Sequence, residues 1–463
     1  MIKNALHKVL KITDPAVLGE HILVQGGAFR NPGVQRALEL LLGRSVTCPD
    51  IAELMGAYGA ALAACDSWQA ARQASRFIDL AVLETVGDFD KKQIHCRGCT
   101  NQCSVTKLRF ENGNTFYTGN RCERIYTNRG ANRTKGANLL EQKQRLLFER
   151  PTQSDAPPRL TIGLPRVLNM YERYPFWATL FVECGFAVRL SEPSTNALYE
   201  RGASTVASEN ICFPAKLAHG HIFNLIEAGV DRIFFPMVAT EESDFCDSDR
   251  TFNCPIVTGY AEVLGSTIDP ESSAAIPLDS PPVTFGDHEL LRRICANYLS
   301  GLGVSRSTID RAFELAMAAQ QRYKADVRAA ALAILERARV EGRLVVVLLT
   351  RPYHLDGLIN HRVPDILADF GVDIITEDAI PLEHGARLDN RFAVTLWEDT
   401  NRLFYAAKWA SRQPDVEVVQ LNSFGCGPDV IATDEVRAIL AAAGKGLTVL
   451  RIDEIESLGS ARL

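Results

Sequence analysis

The chain has 463 residues, 46% of them hydrophobic, and a formal net charge of −6. That length allows several domains with full cores, and the mild acidity gives no electrostatic reason to expect nucleic acid or an anionic membrane surface as partner. No run of some twenty apolar residues occurs, and "MIKNALHKVLKITDPAV" breaks any signal-peptide core with Asp14 and Pro15, so the expected compartment is cytoplasmic. In a reducing compartment, clustered cysteines bind metal or do redox chemistry rather than pair as disulfides.

Residues 1–66 read as a glycine-punctuated α/β piece. "HILVQ", from His21 to Gln25, predicts a short buried strand ending in the Gly26-Gly27 turn, and "PGVQRALELLLG" predicts a helix with Pro32 in its first turn. "IAELMGAYGAALAA" predicts a second helix whose small residues Gly56, Gly59 and Ala60 suit close packing against a neighbour. Some 65 residues make a thin core for such a piece, and the expectation is that it belongs to a domain whose larger part is missing.

Residues 67–150 carry a connector helix and a four-cysteine module. Cys96, Cys99, Cys103 and Cys122 are spaced C-x2-C-x3-C-x18-C, which suits a tetrahedral zinc site, with an iron–sulfur cluster as the alternative for the same ligands. Zinc would fold a module too small to hold itself together, so this quartet reads as a staple rather than an active centre. The basic run "NRGANRTKGANLLEQKQR" that follows reads as a solvated face.

From residue 159 strands alternate with helices, the pattern of parallel sheets with helical crossovers. The fold class is α/β: two doubly wound lobes at 159–300 and 343–463, joined by a long helix within 301–342. "LTIGL", "AVRL", "RIFFP" and "PIVT" are the strands expected in the first lobe, with a helix from Pro214 to Ala228. "LVVVLLT", "VDIIT", "VEVVQL" and "LTVLRI" are those of the second, with helices over 359–370, 397–410 and 429–443. The lobes look like weak repeats. Each opens with a strand running into a Pro-Arg or Arg-Pro turn ("IGLPRVLNMYE", "LLTRPYHLDGLIN"), and each later sets a cysteine beside a helix start ("SENICFPAKL", "NSFGCGPDVI"). Ligands of doubly wound folds sit beyond the carboxyl ends of the strands, which places both cysteines on the functional edge.

Cys212, Cys254 and Cys426 therefore form a second, dispersed constellation: two precede proline and the third sits in a Gly-Cys-Gly-Pro turn. Three thiolates on one cubane would leave a fourth iron open. Cys48, Cys65, Cys184 and Cys295 read as packing residues and Cys246 as a candidate fourth ligand. His219 and His221 face different ways on one helix and read as neither metal ligands nor a pair. Glu209, Arg166, Arg351 and His354 fall on the same edge, but no catalytic acid or base is assigned. No Walker A or G-x-S-x-G sequence occurs.

"LVQGGAFRNPGVQRALELLLG" with "ELMGAYGAALAA" resembles the C-terminal end of the ATP-using activator of 2-hydroxyacyl-CoA dehydratases and benzoyl-CoA reductases, a member of the acetate and sugar kinase, Hsp70 and actin superfamily. "CRGCTNQCSVTKLRF…GNRCER" and the lobes from "IGLPRVLNMYERYPFW" to "GCGPDVI" resemble the rest of large activase–dehydratase-like fusion proteins. The resemblance implies an iron–sulfur cluster on Cys212, Cys254 and Cys426, and a nucleotide-side turn at Gly26, Gly27 and Asn31. Relatives often carry cysteines where Ala215 and Met237 stand here, so a single [4Fe-4S] cluster is implied rather than a double cubane. ATP would be used only with the missing activator part, supplied by an activator domain or a homologous chain. The small-molecule substrate implied is an acyl-CoA thioester. The competing expectation is a zinc-stapled, two-lobed binding or scaffold protein with no redox centre.

Overall fold

The computed structural model describes residues 2, 15–71, 89–97, 103–110, 113–120, 125–126, 128, 135–208, 210–248, 250–388, 396–423 and 425–452. The chain divides into two compact units, Met1–Asp88 and Phe89–Leu463.

In the first unit, Asn31 caps helix α1 (Pro32–Leu42), with Pro32 in the first turn and Gly43 closing it in the left-handed conformation. A second helix, α2, runs Met55–Ala71. The strand expected over 21–25 is reduced to one bridge between Leu23 and Thr47. The described core is Val24, Leu38 and Leu42, whereas Leu54, Tyr58, Leu62 and Trp68 are exposed. Among the described residues, nothing packs against Gly56 or Gly59 of α2.

The second unit opens with an antiparallel meander, β1 (Phe89–His95), β2 (Ser104–Phe110) and β3 (Thr115–Thr118). Helix α3 (Leu139–Phe148) follows, and it corrects the reading of the basic run as a solvated face. Leu139, Leu140 and Leu147 are buried, and Lys143 is buried against Asp378 at 2.8 Å.

The first lobe contains β4 (Thr161–Leu164), α4 (Met170–Glu183), β5 (Ala187–Leu190), α5 (Asn196–Gly202), α6 (Phe213–Glu227), β6 (Arg232–Phe234) and β7 (Met237–Thr240). Then come α7 (Pro255–Ile268), α8 (Pro270–Ala274), β8 (Leu278–Asp279), β9 (Pro282–Thr284) and α9 (His288–Gly301). "PIVT" is thus the start of α7 and not a strand. Pro255 occupies a first-turn position where its missing N–H and fixed φ cost nothing, and this outweighs the β-branched residues behind it. The 36-residue α10 (Arg306–Glu341) packs along α4 and α3. The second lobe has β10 (Val345–Leu349), α11 (Val363–Asp369), β11 (Asp373–Thr376), α12 (Glu398–Ser411), β12 (Val416–Ser423), α13 (Gly427–Ala441) and β13 (Thr448–Ile452).

Both lobes are parallel sheets of the same topology. The first has the order β5-β4-β6-β8 and the second β11-β10-β12-β13, each reading second-first-third-fourth in chain order. Their switch points lie between β4 and β6 and between β10 and β12, the places where such folds open a crevice. The buried β10, Val345–Leu349, is apolar at every position, as expected of a strand covered on both faces.

Helices α5 and α6 approach so closely that a Cβ on Gly220 would lie 2.1 Å from the Leu198 carbonyl oxygen, and one on Gly202 would lie 2.3 Å from the Gly220 nitrogen. Both obstacles are backbone, which does not yield. Gly220→Ala should therefore cost about 1–3 kcal/mol or more, read as a lower urea midpoint. An unchanged midpoint would contradict the close approach.

Candidate functional site

Cys212, Cys254 and Cys426 share one local design. Each is the residue before a helix (α6, α7 and α13), each has extended backbone, and each is followed by proline at the first or second helical position. Their carbonyls enter the helical pattern, accepting from Ala215, Thr258 and Val430 at 3.0, 3.0 and 3.2 Å. None of the three side chains caps its own helix. The sulfurs therefore stand at positive helix ends, where a thiolate is favoured.

The three thiols are electrostatic neighbours. Burial pushes the Cys212 thiol up to about 11, and the nearby Cys254 adds to the rise. Burial pushes Cys426 to about 12, with Asp429 and again Cys254 contributing. Tyr353 is buried and feels both Cys212 and Cys426. A bound metal would draw these protons off.

The mount of Cys254 is built from both lobes, and that of Cys426 from the second. Glu241 N–H donates to Thr251 and Asn253 N–H to Ala239, at 2.8 and 3.0 Å. Between them Phe252 exchanges backbone bonds with the second lobe, donating to Leu396 at 2.9 Å and accepting from Glu398 at 3.2 Å. Cys426 N–H donates to Ser423 at 3.1 Å after Gly425 turns the chain at φ 81°. That turn is pinned by Arg351, whose Nε and Nη2 reach Asp429 at 2.8 and 2.6 Å and whose Nη1 reaches Asp399 at 3.3 Å. His354 Nδ1 accepts from Arg351 N–H at 3.1 Å, so Nε2 carries the proton and donates to Ser423 Oγ at 3.1 Å. Arg402 extends the network across the lobes, bonding Glu172 at 2.8 Å.

The first lobe carries a parallel arrangement. Arg166 N–H donates to Ser191 Oγ at 2.7 Å, Ser191 meets His221 Nδ1 at 2.8 Å, and His221 Nε2 meets Ser194 Oγ at 2.9 Å. Ser194 and Tyr171 both donate to Asp356 of the second lobe. His219 is buried separately, between Thr205 and Tyr260 at 2.8 and 2.9 Å. The two histidines thus serve different networks and neither meets a thiol ligand set.

Other candidates separate. Cys96 N–H donates to the Cys103 carbonyl at 2.8 Å, so these two face each other across the β1–β2 connection. Cys99 and Cys122 lie outside the described residues, as does Glu209. Cys246 is exposed, with its sulfur 3.6 Å from the Gly385 carbonyl. Cys184 and Cys295 are buried and Cys48 half-buried, but Cys65 is exposed, against the packing role expected of it. Asn31 spends its side chain on Gly33 N–H at 2.9 Å, and Gly26 adopts φ 103°. Among the described residues no three His, Cys, Asp or Glu side chains are close enough to share a single metal ion. A cubane spreads its thiolates farther apart than one ion does, and two thiols that each neighbour Cys254, all three at helix starts, are compatible with that larger group.

Sequence reading did not single out Asp429, Asp399 or Tyr353. Asp429 follows directly in "CGPD", three residues into a helix behind a proline, which was the available signal. Asp399 and Tyr353 gave none, because their partners are distant in the chain.

Arg351→Gln would leave Asp429 and Asp399 buried without their cation, and should cost about 3–5 kcal/mol of stability; a midpoint within experimental error of the parent would contradict the pinning role. Burial lowers the His219 pKa to about 4. The unfolded chain therefore binds more protons below about 6.5, and stability falls as pH drops from there towards 4. His219→Gln should flatten that loss in denaturation curves taken across the window, and an unaltered slope would count against it.

A comparison with curated proteins finds no match. Among solved structures, a mandelate racemase/muconate lactonizing enzyme from Sulfitobacter sp aligns over 78% of each chain at 9% identity with a TM-score of 0.13, too slight a likeness to carry an argument. No helix among the described residues is long and apolar enough to cross a membrane. The family model described as the CoA enzyme activase uncharacterised domain (DUF2229) matches residues 161–380. The match spans the first lobe, the long helix and the start of the second lobe with its Arg351 turn, and it agrees with the activase-related family that the chain's motifs resemble.

Proposed function

We propose that Cys212, Cys254 and Cys426 hold one [4Fe-4S] cluster, and that the chain is the electron-accepting reductase component of a system driven by an ATP-dependent activator. The observation that carries this reading is that Cys212 and Cys426 both feel Cys254, and that each of the three stands at the start of a different proline-led helix. When bound, such a cluster supplies a low-potential electron and one iron free of protein thiolate.

The residues around the thiols suit the task. Three positive helix ends and the Arg351 guanidinium offset the negative charge of thiolate ligands, and the half-buried setting of the three cysteines limits water at the sulfurs. Tyr353 offers a phenol beside two of the thiols for orienting a bound substrate. The substrate class in this reading is an acyl-CoA thioester. The exposed apolar side chains Leu54, Tyr58, Leu62 and Trp68 of the first unit would serve as a surface for the activator, since patches of this kind mark partner sites. The quartet Cys96, Cys99, Cys103 and Cys122 would hold zinc, or a second cluster, as a structural staple.

Anaerobic purification should yield a brown protein with about four irons and four acid-labile sulfides per chain. Cys212→Ala, Cys254→Ala and Cys426→Ala should each lower iron content and abolish the reduced-cluster resonance spectrum. Colourless protein carrying zinc alone would overturn the redox reading and leave the zinc-stapled scaffold. Iron that survives all three substitutions would remove the assigned ligands.

A further inference from the structure

The mild acidity of the whole chain conceals a basic segment. Residues 89–135 contain ten Lys or Arg and three Asp or Glu, a local charge of +7 in a chain whose total is −6. The described part of that segment includes the meander β1–β3, which presents three of these cations on one face. Residues directly opposite each other in an antiparallel pair share a face. Lys92 stands opposite Lys107, and Lys107 opposite Tyr117; two residues along β2, Arg109 lies between Asp90 and Thr115. Lys92 and Arg109 are exposed and Lys107 is half-buried. The Lys107 ammonium lies 5.9 Å from the centre of the Tyr117 ring, and the Tyr126 ring is 5.2 Å from that of Tyr117. Both tyrosines keep part of their surface open to solvent.

Folding gives no reason for this arrangement. Two ammonium groups directly opposite on adjacent strands repel each other. Among the described residues no carboxylate lies within ion-pair distance of Lys92, Lys107 or Arg109, and Asp90 faces Arg109 in register without reaching it. On the lobes, by contrast, exposed cations such as Arg201, Arg306 and Arg437 have carboxylate partners. Lys107 and Arg109 are about 7 Å apart along one strand, and Lys92 is about 5 Å away on the next. Cations in such a row, beside rings with open surface, fit a ligand that repeats both negative charges and flat groups. A single-stranded nucleic acid is that ligand: its phosphates meet Lys and Arg, and its bases stack on aromatic side chains. An acidic protein would use the cations and leave the tyrosines without a role, and a duplex would keep its bases stacked away from them.

We infer that the β1–β3 meander binds single-stranded nucleic acid through Lys92, Lys107, Arg109, Tyr117 and Tyr126. The surface is separate from Cys212, Cys254 and Cys426, so it stands or falls apart from the cluster. Its test uses the full chain, purified anaerobically, with short fluorescent oligothymidylate, oligouridylate and polyglutamate, read by anisotropy over a range of sodium chloride concentrations. Saturable binding of either oligonucleotide, tighter than that of polyglutamate, is the expected result, and a preference between the two would assign DNA or RNA. Log affinity should fall with log salt at a slope of about −2, from about 0.7 per cation. Lys92→Gln and Arg109→Gln should each weaken binding about fivefold at 0.1 M salt and make the slope shallower by about 0.7. Tyr117→Leu and Tyr126→Leu should each weaken binding about fivefold or more while leaving the slope unchanged, which a role in bulk charge would not produce. Lys92 and Arg109 are exposed, so their variants should keep the parent thermal midpoint, and they decide the matter if a tyrosine variant does not fold. Absence of saturable oligonucleotide binding overturns the site, as does unchanged affinity in both cation variants or in folded tyrosine variants. Polyglutamate bound as tightly as the oligonucleotides overturns it in favour of an acidic protein partner.

Discussion

The arrangement at the strand ends depends on one buried cation. Arg351 leaves the first strand of the second lobe almost fully enclosed, and two carboxylates from different helices close on it. Asp429 fixes the start of the helix behind Cys426, and Asp399 connects through Arg402 to Glu172 of the other lobe. Desolvating so many charges is expensive, and such groups contribute mainly by admitting one geometry and penalising others. The stability of the lobes comes instead from a continuous apolar core, in which Phe181 meets Phe234 edge to face and Trp177 packs against both.

Two parallel sheets of one topology make the convergence of helix starts a consequence of the fold. In such a sheet every crossover helix begins near the carboxyl ends of the strands, so residues before helices collect at one edge. Cys212, Cys254 and Cys426 are each set there by the same device, a proline that fixes the first turn while leaving the preceding side chain outside the helix. Arg166 and Arg351 occupy matching places after the first strand of each lobe, yet one is gripped by carboxylates and the other by an aromatic ring. The same scaffold thus offers a charge-balanced corner and an electropositive one.

Much of this was legible in the sequence, because the signals were local. The apolar run of β10, Pro32 in the first turn of α1 and the Ala-rich α10 each declared their element through spacing that neighbours did not contradict. "PIVT" misled because its β-branched residues outvoted a proline whose meaning depends on the turn before it. "HILVQ" misled because a strand needs a partner, and here it finds one bridge. The run around Lys143 looked solvated because its counter-charge, Asp378, is 235 residues away. The positions of Cys212 and Cys426 at helix starts were readable, and that of Cys254 was hidden by the strand reading of "PIVT"; the interlobe ties through Phe252, Asp399 and Asp356 join residues too far apart in the chain to leave a pattern.

The backbone exchange at Phe252 has a consequence for the proposed cluster. The residue two before Cys254 is hydrogen-bonded on both sides to the opposite lobe, so the lobes cannot swing apart without dragging that sulfur with them. A centre seated in such a frame would find nearly the same surroundings before and after gaining charge. Its reorganisation energy would be small, and transfer could be quick without a large driving force.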